Sequence, residues 1–215
     1  MKKIICILLF ALGFMQNVSA KNLHVMDESA DGKYRIVRTG IPKFKDFQKM
    51  CQMGIRRMIV MAGNGATEEE FAKTEWAQKN CQGFQVIYNC KQATKIPLSK
   101  QFLSFFDEEV TKAKALGYGL AFRCNCGCHR TGRLAAYYRM KYQDKGPEES
   151  VRDQRRKAPG LATFLHRKII KHQIHALADY IKGKECSGEN KEFCPVETDE
   201  SCQFPQVSDD PDDQI

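Results

Sequence analysis

Cys124-Asn125-Cys126-Gly127-Cys128-His129-Arg130-Thr131-Gly132 is the stretch on which the reading of this chain turns. Before it, Tyr118-Gly119-Leu120-Ala121-Phe122-Arg123 reads as a strand; after it, Thr131 to about Tyr142 reads as a helix. A short loop between a strand and a helix aims backbone N–H groups and the positive end of the helix dipole at one point. Such a point suits a phosphate. A cysteine that opens the loop has its thiolate stabilised by the same field, so Cys124 is expected to titrate below the usual value of about 8.5. Arg130, at the far end, can curl back and hold two phosphate oxygens at once. Gly127 permits the tight turn. Thr131 can donate a hydrogen bond to the sulfur when it leaves a thiophosphate. Asn125, Cys126, Cys128 and His129 complete the wall of the loop.

Outward from the loop, strands alternate with helices. Tyr34 to Val37 reads as a strand, with a turn at Thr39-Gly40-Ile41-Pro42. A helix is expected over Lys43 to Met53, a strand over Arg57 to Met61 and one helix from Thr67 to about Asn80, favoured at its start by Glu68, Glu69 and Glu70. The next strand is Phe84 to Tyr88, followed by a loop over 90–98. Ser99 to about Leu116 reads as an amphipathic helix, with Phe102, Phe105, Phe106, Val110 and Ala113 near helical spacing. Pro147 opens a short helix, and Leu161 to Lys182 is the final long one. Alternation at this spacing predicts an α/β fold: a central, mostly parallel sheet of four to five strands with helices on both faces.

Cys-x5-Arg followed by Thr-Gly, between a strand and a helix, resembles the active-site loop of the protein tyrosine phosphatase superfamily. The RTG ending and compact length resemble its dual-specificity branch, possibly in its phytase-like form. The order of elements over about 33–182, with Tyr34-Arg35, Gly54-Ile55-Arg56 and Val60 in place, follows the small dual-specificity domain. The resemblance implies the cysteine phosphatase fold, Cys124, Arg130 and Thr131 as catalytic residues, a phosphocysteine intermediate, and neither metal nor cofactor. Two departures stand out. The family places His before the nucleophile, and this chain has Arg123, a cation able to lower the Cys124 pKa directly. The family also carries a general-acid Asp in the loop after the preceding strand, and residues 90–98 contain no Asp or Glu. The general acid is therefore unknown at this stage. Asp107 and Asp153 are carboxylates that the sequence does not bring to the site. A pseudophosphatase, binding phosphate without turnover, is the rival reading.

Lys91, Lys95 and Arg133 fall near the loop and are candidate substrate-binding cations. The expected partner is a phosphorylated small molecule, such as an inositol polyphosphate, or a phosphoprotein; nucleic acid is not expected. Cys124, Cys126, Cys128 and His129 lack the Cys-x2-Cys spacing and second ligand pair of a zinc site, so no metal is expected. Cys126 and Cys128 either fill the loop or trap an oxidised Cys124. His166, His172 and His175 read as surface or packing residues of the last helix.

The ends of the chain differ from its middle. Lys2 and Lys3, an apolar run from Ile4 to Met15 and Val18-Ser19-Ala20 have the pattern of a secretory signal peptide cleaved after Ala20. A secreted or periplasmic protein with no membrane contact after cleavage is expected. Residues 21–32 read as a mobile lead-in, 33–183 as the domain and 184–215 as an acidic tail. Residues 185–215 carry ten acids against one base, Lys191, so the overall +8 hides a more basic body suited to anionic substrates. Of ten cysteines, Cys6 lies in the leader; the remaining nine are odd in number, which points to a free thiol among disulfides. Cys51, Cys81 and Cys90 read as buried thiols or disulfide halves, and Cys186, Cys194 and Cys202 as disulfide halves. Past Gly183 the expectation is disorder or a tail tied by disulfides.

Overall fold

The computed structural model describes residues 22–81, 83–157, 161–200 and 202, side chains at 161–165 excepted. The leader falls outside them. Five strands form one sheet in the order β1-β2-β5-β3-β4. They are β1 (His24–Glu28), β2 (Arg35–Thr39), β3 (Ile55–Val60), β4 (Gln85–Asn89) and β5 (Gly119–Arg123). Only the β1–β2 pairing is antiparallel. The helices are α1 (Phe44–Gln52), α2 (Ala66–Ala72), α3 (Glu75–Asn80), α4 (Lys100–Leu116), α5 (Arg130–Tyr142), α6 (Pro147–Arg156) and α7 (Leu161–Ile181). This is the expected α/β architecture.

Two apolar cores sandwich the sheet. Phe47, Met50, Phe71, Ala77 and Phe84 pack with Val37, Met58, Val60 and Ala121 on one face. Phe102, Phe106, Val110, Leu134, Tyr137, Ile174 and Leu177 pack with Ile36, Ile59, Leu120 and Phe122 on the other. β5 is therefore buried along its whole length, which fixes the strand that ends at Cys124. α4 shows why the sequence pattern was legible. The Ser99 hydroxyl accepts from the Phe102 N–H at 3.1 Å, Gly117 closes the helix at φ +70°, and its apolar stripe lies inside.

Two expectations are corrected, and a third is narrowed to one of its alternatives. Residues 21–32 are not a lead-in: His24–Glu28 forms an edge strand on β2. Its signal is weak because a bulge between Val25 and Asp27 breaks the alternation. Asp27 accepts from the Tyr138 hydroxyl and pairs with Lys114 at 3.2 Å, so the charges that read as solvent-facing are tied to α5 and α4. The single helix expected over 67–80 is two. Thr74 caps α3 by accepting from the Ala77 N–H at 3.2 Å while its own hydroxyl donates to the Phe71 carbonyl, so the chain turns there. Past Gly183 the described tail is ordered by disulfides: Cys186–Cys194 closes a short 3-10 turn (Gly188–Phe193), and Cys90–Cys202 ties it to the domain. Cys51–Cys81 is the third bridge, linking the ends of α1 and α3.

The β1 strand makes the first prediction. A chain beginning at residue 33 loses Met26 from the core and the Asp27 bonds. Burial of a methionine alone contributes about 1.5–3 kcal/mol, so urea unfolding of that chain should show a loss of at least about 2 kcal/mol relative to one beginning at residue 21. Equal midpoints would return residues 21–32 to the status of a lead-in.

Candidate active site

The site lies at the carboxyl ends of the parallel strands, where β5 passes through residues 124–129 into α5. Gly127 sits at φ +67°, and a Cβ there would stand 2.7 Å from the Gly40 nitrogen and 2.8 Å from the Thr39 carbonyl. Only glycine allows the loop to press against the end of β2 in this way.

Five successive loop carbonyls are bonded to groups outside the loop. The Ile41 N–H donates to the Asn125 carbonyl at 3.0 Å, and Asn22 Nδ2 to that of Cys126 at 2.8 Å. Arg38 Nη2 donates to the Gly127 carbonyl at 2.6 Å, and Gln154 Nε2 to that of Cys128 at 3.3 Å. The Arg133 N–H takes the His129 carbonyl at 3.0 Å. Turning the carbonyls to outside partners is the arrangement by which a loop can offer its N–H groups to an anion. The Cys128 N–H is one that is engaged, donating to Cys126 Sγ at 3.2 Å.

Arg130 is half-buried. Its Nη1 donates to the Met61 carbonyl at 2.7 Å and the Gln92 carbonyl at 3.3 Å, while Nε makes no bond within the protein. The ends of β3 and of the β4 loop thus fix the guanidinium through Nη1 and leave a buried Nε–H without a partner in the protein. Arg123, before the nucleophile, is fully buried and paired with the equally buried Glu68 of α2. It also donates to Asn64 Oδ1 at 2.8 Å and to the Asn64 carbonyl at 3.0 Å, and Asn64 Nδ2 donates to Asn125 Oδ1 at 3.1 Å. Arg123 is therefore a strut between α2 and the loop; Glu68 compensates its charge, and an attraction to a Cys124 thiolate remains alongside that pairing.

The three cysteines that stay free among the described residues are Cys124, Cys126 and Cys128. They lie in one hydrogen-bonded series, which overturns the expected acidity of Cys124. The contact with Cys126, followed by burial, pushes its thiol up to about 12; the hydroxyl and N–H of Thr131 pull the other way. That hydroxyl has no nitrogen or oxygen partner. Cys128 is the thiol that titrates low, chiefly through its bond with Cys126, with the Arg38 guanidinium and Asn22 also acting. The Cys-x-Cys spacing sets sulfur beside sulfur, and that local contact is the largest influence on the Cys124 thiol.

The other candidates are now placed. Lys91 and Lys95 are exposed on the loop after β4. Arg133 is not a surface cation: it is 1% exposed, and it donates to the carbonyls of Ala93 (3.2 Å), Thr94 (3.4 Å) and Ile96 (2.5 Å). Burial pulls its pKa down to about 10. Gln173 of α7 joins it on the Thr94 carbonyl at 3.1 Å. Both hold the 90–98 loop in shape from below. Asp107 accepts from Tyr137 and Tyr142 at 2.7 Å and Lys141 at 2.6 Å, and Asp153 pairs with Arg139 at 3.3 Å and Lys157 at 3.2 Å, so both are engaged by neighbouring side chains. Sequence reasoning missed Asn22, Arg38, Asn64, Glu68 and Gln154. Arg38 and Arg123 left one trace, an arginine at the end of an apolar strand. The others serve through side chains on separate elements that no local pattern links to the loop.

No family model matches the chain, and no curated protein matches it. Solved structures do. TpbA from P. aeruginosa in complex with phosphotyrosine superposes with a TM-score of 0.53 at 12% identity, over 75% of this chain and 91% of that one. The core catalytic domain of the PP-IP phosphatase SIW14 from S. cerevisiae, in complex with citrate, gives 0.56 at 18% identity over 77% and 91%. PTPMT1 in complex with PI(5)P gives 0.51 at 16% identity over 75% and 97%. At these identities the likeness establishes the fold alone, the cysteine phosphatase fold that these neighbours share.

The sulfur series makes a checkable claim. Iodoacetamide captures the thiolate, so its pH profile at Cys124, read by fragment mass spectrometry of the peptide 124–130, reports that group. In Cys126→Ala the profile should move to lower pH, because the contact that most favours the protonated thiol is gone. In Thr131→Val it should move to higher pH. Superimposable profiles would show that neither neighbour tunes Cys124.

Proposed function

We propose that this chain is an exported cysteine-dependent phosphatase that hydrolyses phosphomonoesters through a phosphocysteine intermediate at Cys124. The observation that carries the reading is the outward fastening of the carbonyls of residues 125–129, beside a cysteine and a half-anchored arginine. Phosphate oxygens would take the N–H groups of the loop and the unpartnered Nε–H of Arg130. The Cys124 thiolate would then displace the leaving group at phosphorus. Thr131 would steady the sulfur as it departs when water attacks the phosphocysteine. Supporting export, the described residues hold three disulfides, which persist in oxidising compartments, and the leader pattern precedes them.

Within that reading the substrate we favour is a compact polyanion such as an inositol polyphosphate. Lys91 and Lys95 are exposed at the rim, and the chain carries a formal net charge of +8. Similar folds are seen with phosphotyrosine in TpbA and with a phosphoinositide in PTPMT1, so the scaffold accommodates either class. Outside the cell, small phosphate esters are the more accessible source.

Cys124→Ser should abolish turnover yet keep vanadate binding. Arg130→Lys should lose most activity with circular dichroism unchanged, since a point charge does not replace a bidentate fork. Vanadate binding with no turnover by the unaltered chain on any phosphate ester, including one with a good aryl leaving group, would mean a pseudophosphatase instead.

Substrate class is tested by ionic strength. Inositol hexakisphosphate should be hydrolysed better than phosphotyrosine peptides, and its Michaelis constant should rise steeply with salt because exposed charges are screened beyond about 10 Å at 0.1 M. Lys91→Ala or Lys95→Ala should weaken it more than an aryl monophosphate. If phosphotyrosine peptides win at every ionic strength and both lysine changes act alike on both substrates, a phosphoprotein is the substrate.

A further inference from the structure

β4 is the last strand of the sheet, so the chain that leaves it at Cys90 has a strand neighbour, β3, on one side only. On that side the Cys90 N–H donates to the Val60 carbonyl at 3.0 Å, and Lys91 bridges to Ala62. The remaining fastening comes from the C-terminal tail. The tail runs beside Ser99 at Val196, where the Lys100 N–H donates to the Val196 carbonyl at 2.7 Å and the Gln101 N–H to that of Glu197 at 3.2 Å. It then turns, the Cys202 N–H closing on the Asp199 carbonyl at 2.9 Å, and Cys202 is joined to Cys90 with Cα atoms 5.6 Å apart. Cys202 is buried in the core that holds Tyr88, Leu98 and Phe102.

Gln92 lies two residues past Cys90 and is itself buried. Its N–H donates to the Cys90 carbonyl at 3.1 Å, and its Nε2 donates to the Tyr88 hydroxyl at 3.1 Å. Its own carbonyl accepts from Arg130 Nη1 at 3.3 Å. A continuous path of covalent and hydrogen bonds therefore runs from the tail, through Cys202, Cys90 and Gln92, to the arginine of the phosphate loop. The grip of Arg133 and Gln173 on this segment begins only beyond Gln92, at the carbonyls of 93–96. The second acceptor on Arg130 Nη1 is the Met61 carbonyl, at 2.7 Å. Two acceptors from separate elements define the plane of a guanidinium as well as its position, and a planar fork works only when its plane is set.

We infer that the Cys90–Cys202 bridge is part of the phosphate site: it holds Gln92 as a positioning residue for Arg130, so affinity for a phosphoryl group depends on the bridge being closed. The inference rests on the phosphatase reading above. With the bridge open, the start of the loop keeps its bonds to β3 but loses its fastening to the tail, and the Gln92 carbonyl can swing away from Nη1. Arg130 then keeps the Met61 carbonyl alone, and its Nε–H no longer points to one place. The tail thus serves the site through a covalent tie, without supplying a group to the reaction.

The test uses the leaderless full chain with its disulfides formed, and orthovanadate as the probe. A bridge across 112 residues also adds global stability, so stability has to be separated from positioning. Cys90→Ser/Cys202→Ser should weaken vanadate binding by about tenfold, the worth of one hydrogen bond to a charged group, and raise the Michaelis constant for para-nitrophenyl phosphate in proportion. Cys51→Ser/Cys81→Ser, which opens the bridge between α1 and α3, should lower the melting temperature and leave both constants unchanged. In an Arg130→Lys background, opening Cys90–Cys202 should weaken vanadate no further, because two changes that act through one contact are not additive. Should the Cys90→Ser/Cys202→Ser chain fail to fold by circular dichroism, Tyr88→Phe takes its place: loss of the Gln92 anchor should weaken vanadate by about threefold, and an unchanged affinity overturns the inference. Vanadate affinity untouched by loss of the bridge, or weakened equally in the Arg130→Lys chain, means that the bridge only stabilises the fold; the inference is then overturned while the phosphatase reading stands. An unaltered chain that neither binds vanadate nor turns over an ester overturns the two together.

Discussion

The bonds that draw the loop carbonyls outward are the constraint on which the site depends. Five consecutive peptide groups cannot turn their N–H sides to a common centre unless each carbonyl finds a partner elsewhere. Those partners come from distant parts of the chain: Asn22 ahead of β1, Arg38 and Ile41 at the end of β2, Gln154 on α6 and the first turn of α5. The sheet order brings β2 against β5, and α6 packs on α5, so the fold exists in the arrangement that supplies them. An orphaned buried carbonyl would cost about 1–3 kcal/mol, so the loop conformation and the tertiary structure support one another.

Sequence reading succeeded where the signal was local. The Ser99 cap, the Phe102–Phe106–Val110 stripe and Gly117 name α4 without help from the rest of the fold. The tight turn between a strand and a helix at 124–129 was legible in the same way, with Gly127 at φ +67° where the sequence placed it. It failed where the meaning of a residue is set by what lies across space. Arg133 looks like a cation for substrate, but the carbonyls of 93–96 claim it. His24–Glu28 looks like a polar lead-in because one bulge spoils its alternation and Asp27 finds Tyr138 from 111 residues away. Cys-x-Cys reads as loop filler or as a trap for an oxidised Cys124, and the sequence does not show that the Cys126 sulfur pushes the Cys124 thiol up.

Arg123, next to Cys124, shows how one buried charge recruits partners. A buried guanidinium with no carboxylate would be strongly destabilising, and removing one partner of a buried pair typically costs about 3–5 kcal/mol. Glu68 answers the charge and Asn64 takes two of the N–H donors, then passes the contact on to Asn125. The result ties α2 to the phosphate loop through side chains. That positioning rests on a network of four residues, Glu68, Arg123, Asn64 and Asn125.

Charge around the loop follows from the same accounting. Arg38, Arg123, Arg130 and Arg133 all approach it, and of the two that are paired most closely with the loop from below, only Arg123 has a directly bonded carboxylate. Arg38 is wholly buried, and its Nε and Nη1 find no hydrogen-bond partner. Burial lowers its pKa, while Asp153, Cys124 and Cys128 favour its charged form. A cation so placed is tolerable when negative charge arrives nearby, because the attraction is strong where water is excluded. Negative charge on Cys124 or Cys128 favours the charged form of Arg38, so the thiols of the loop and this buried guanidinium are coupled.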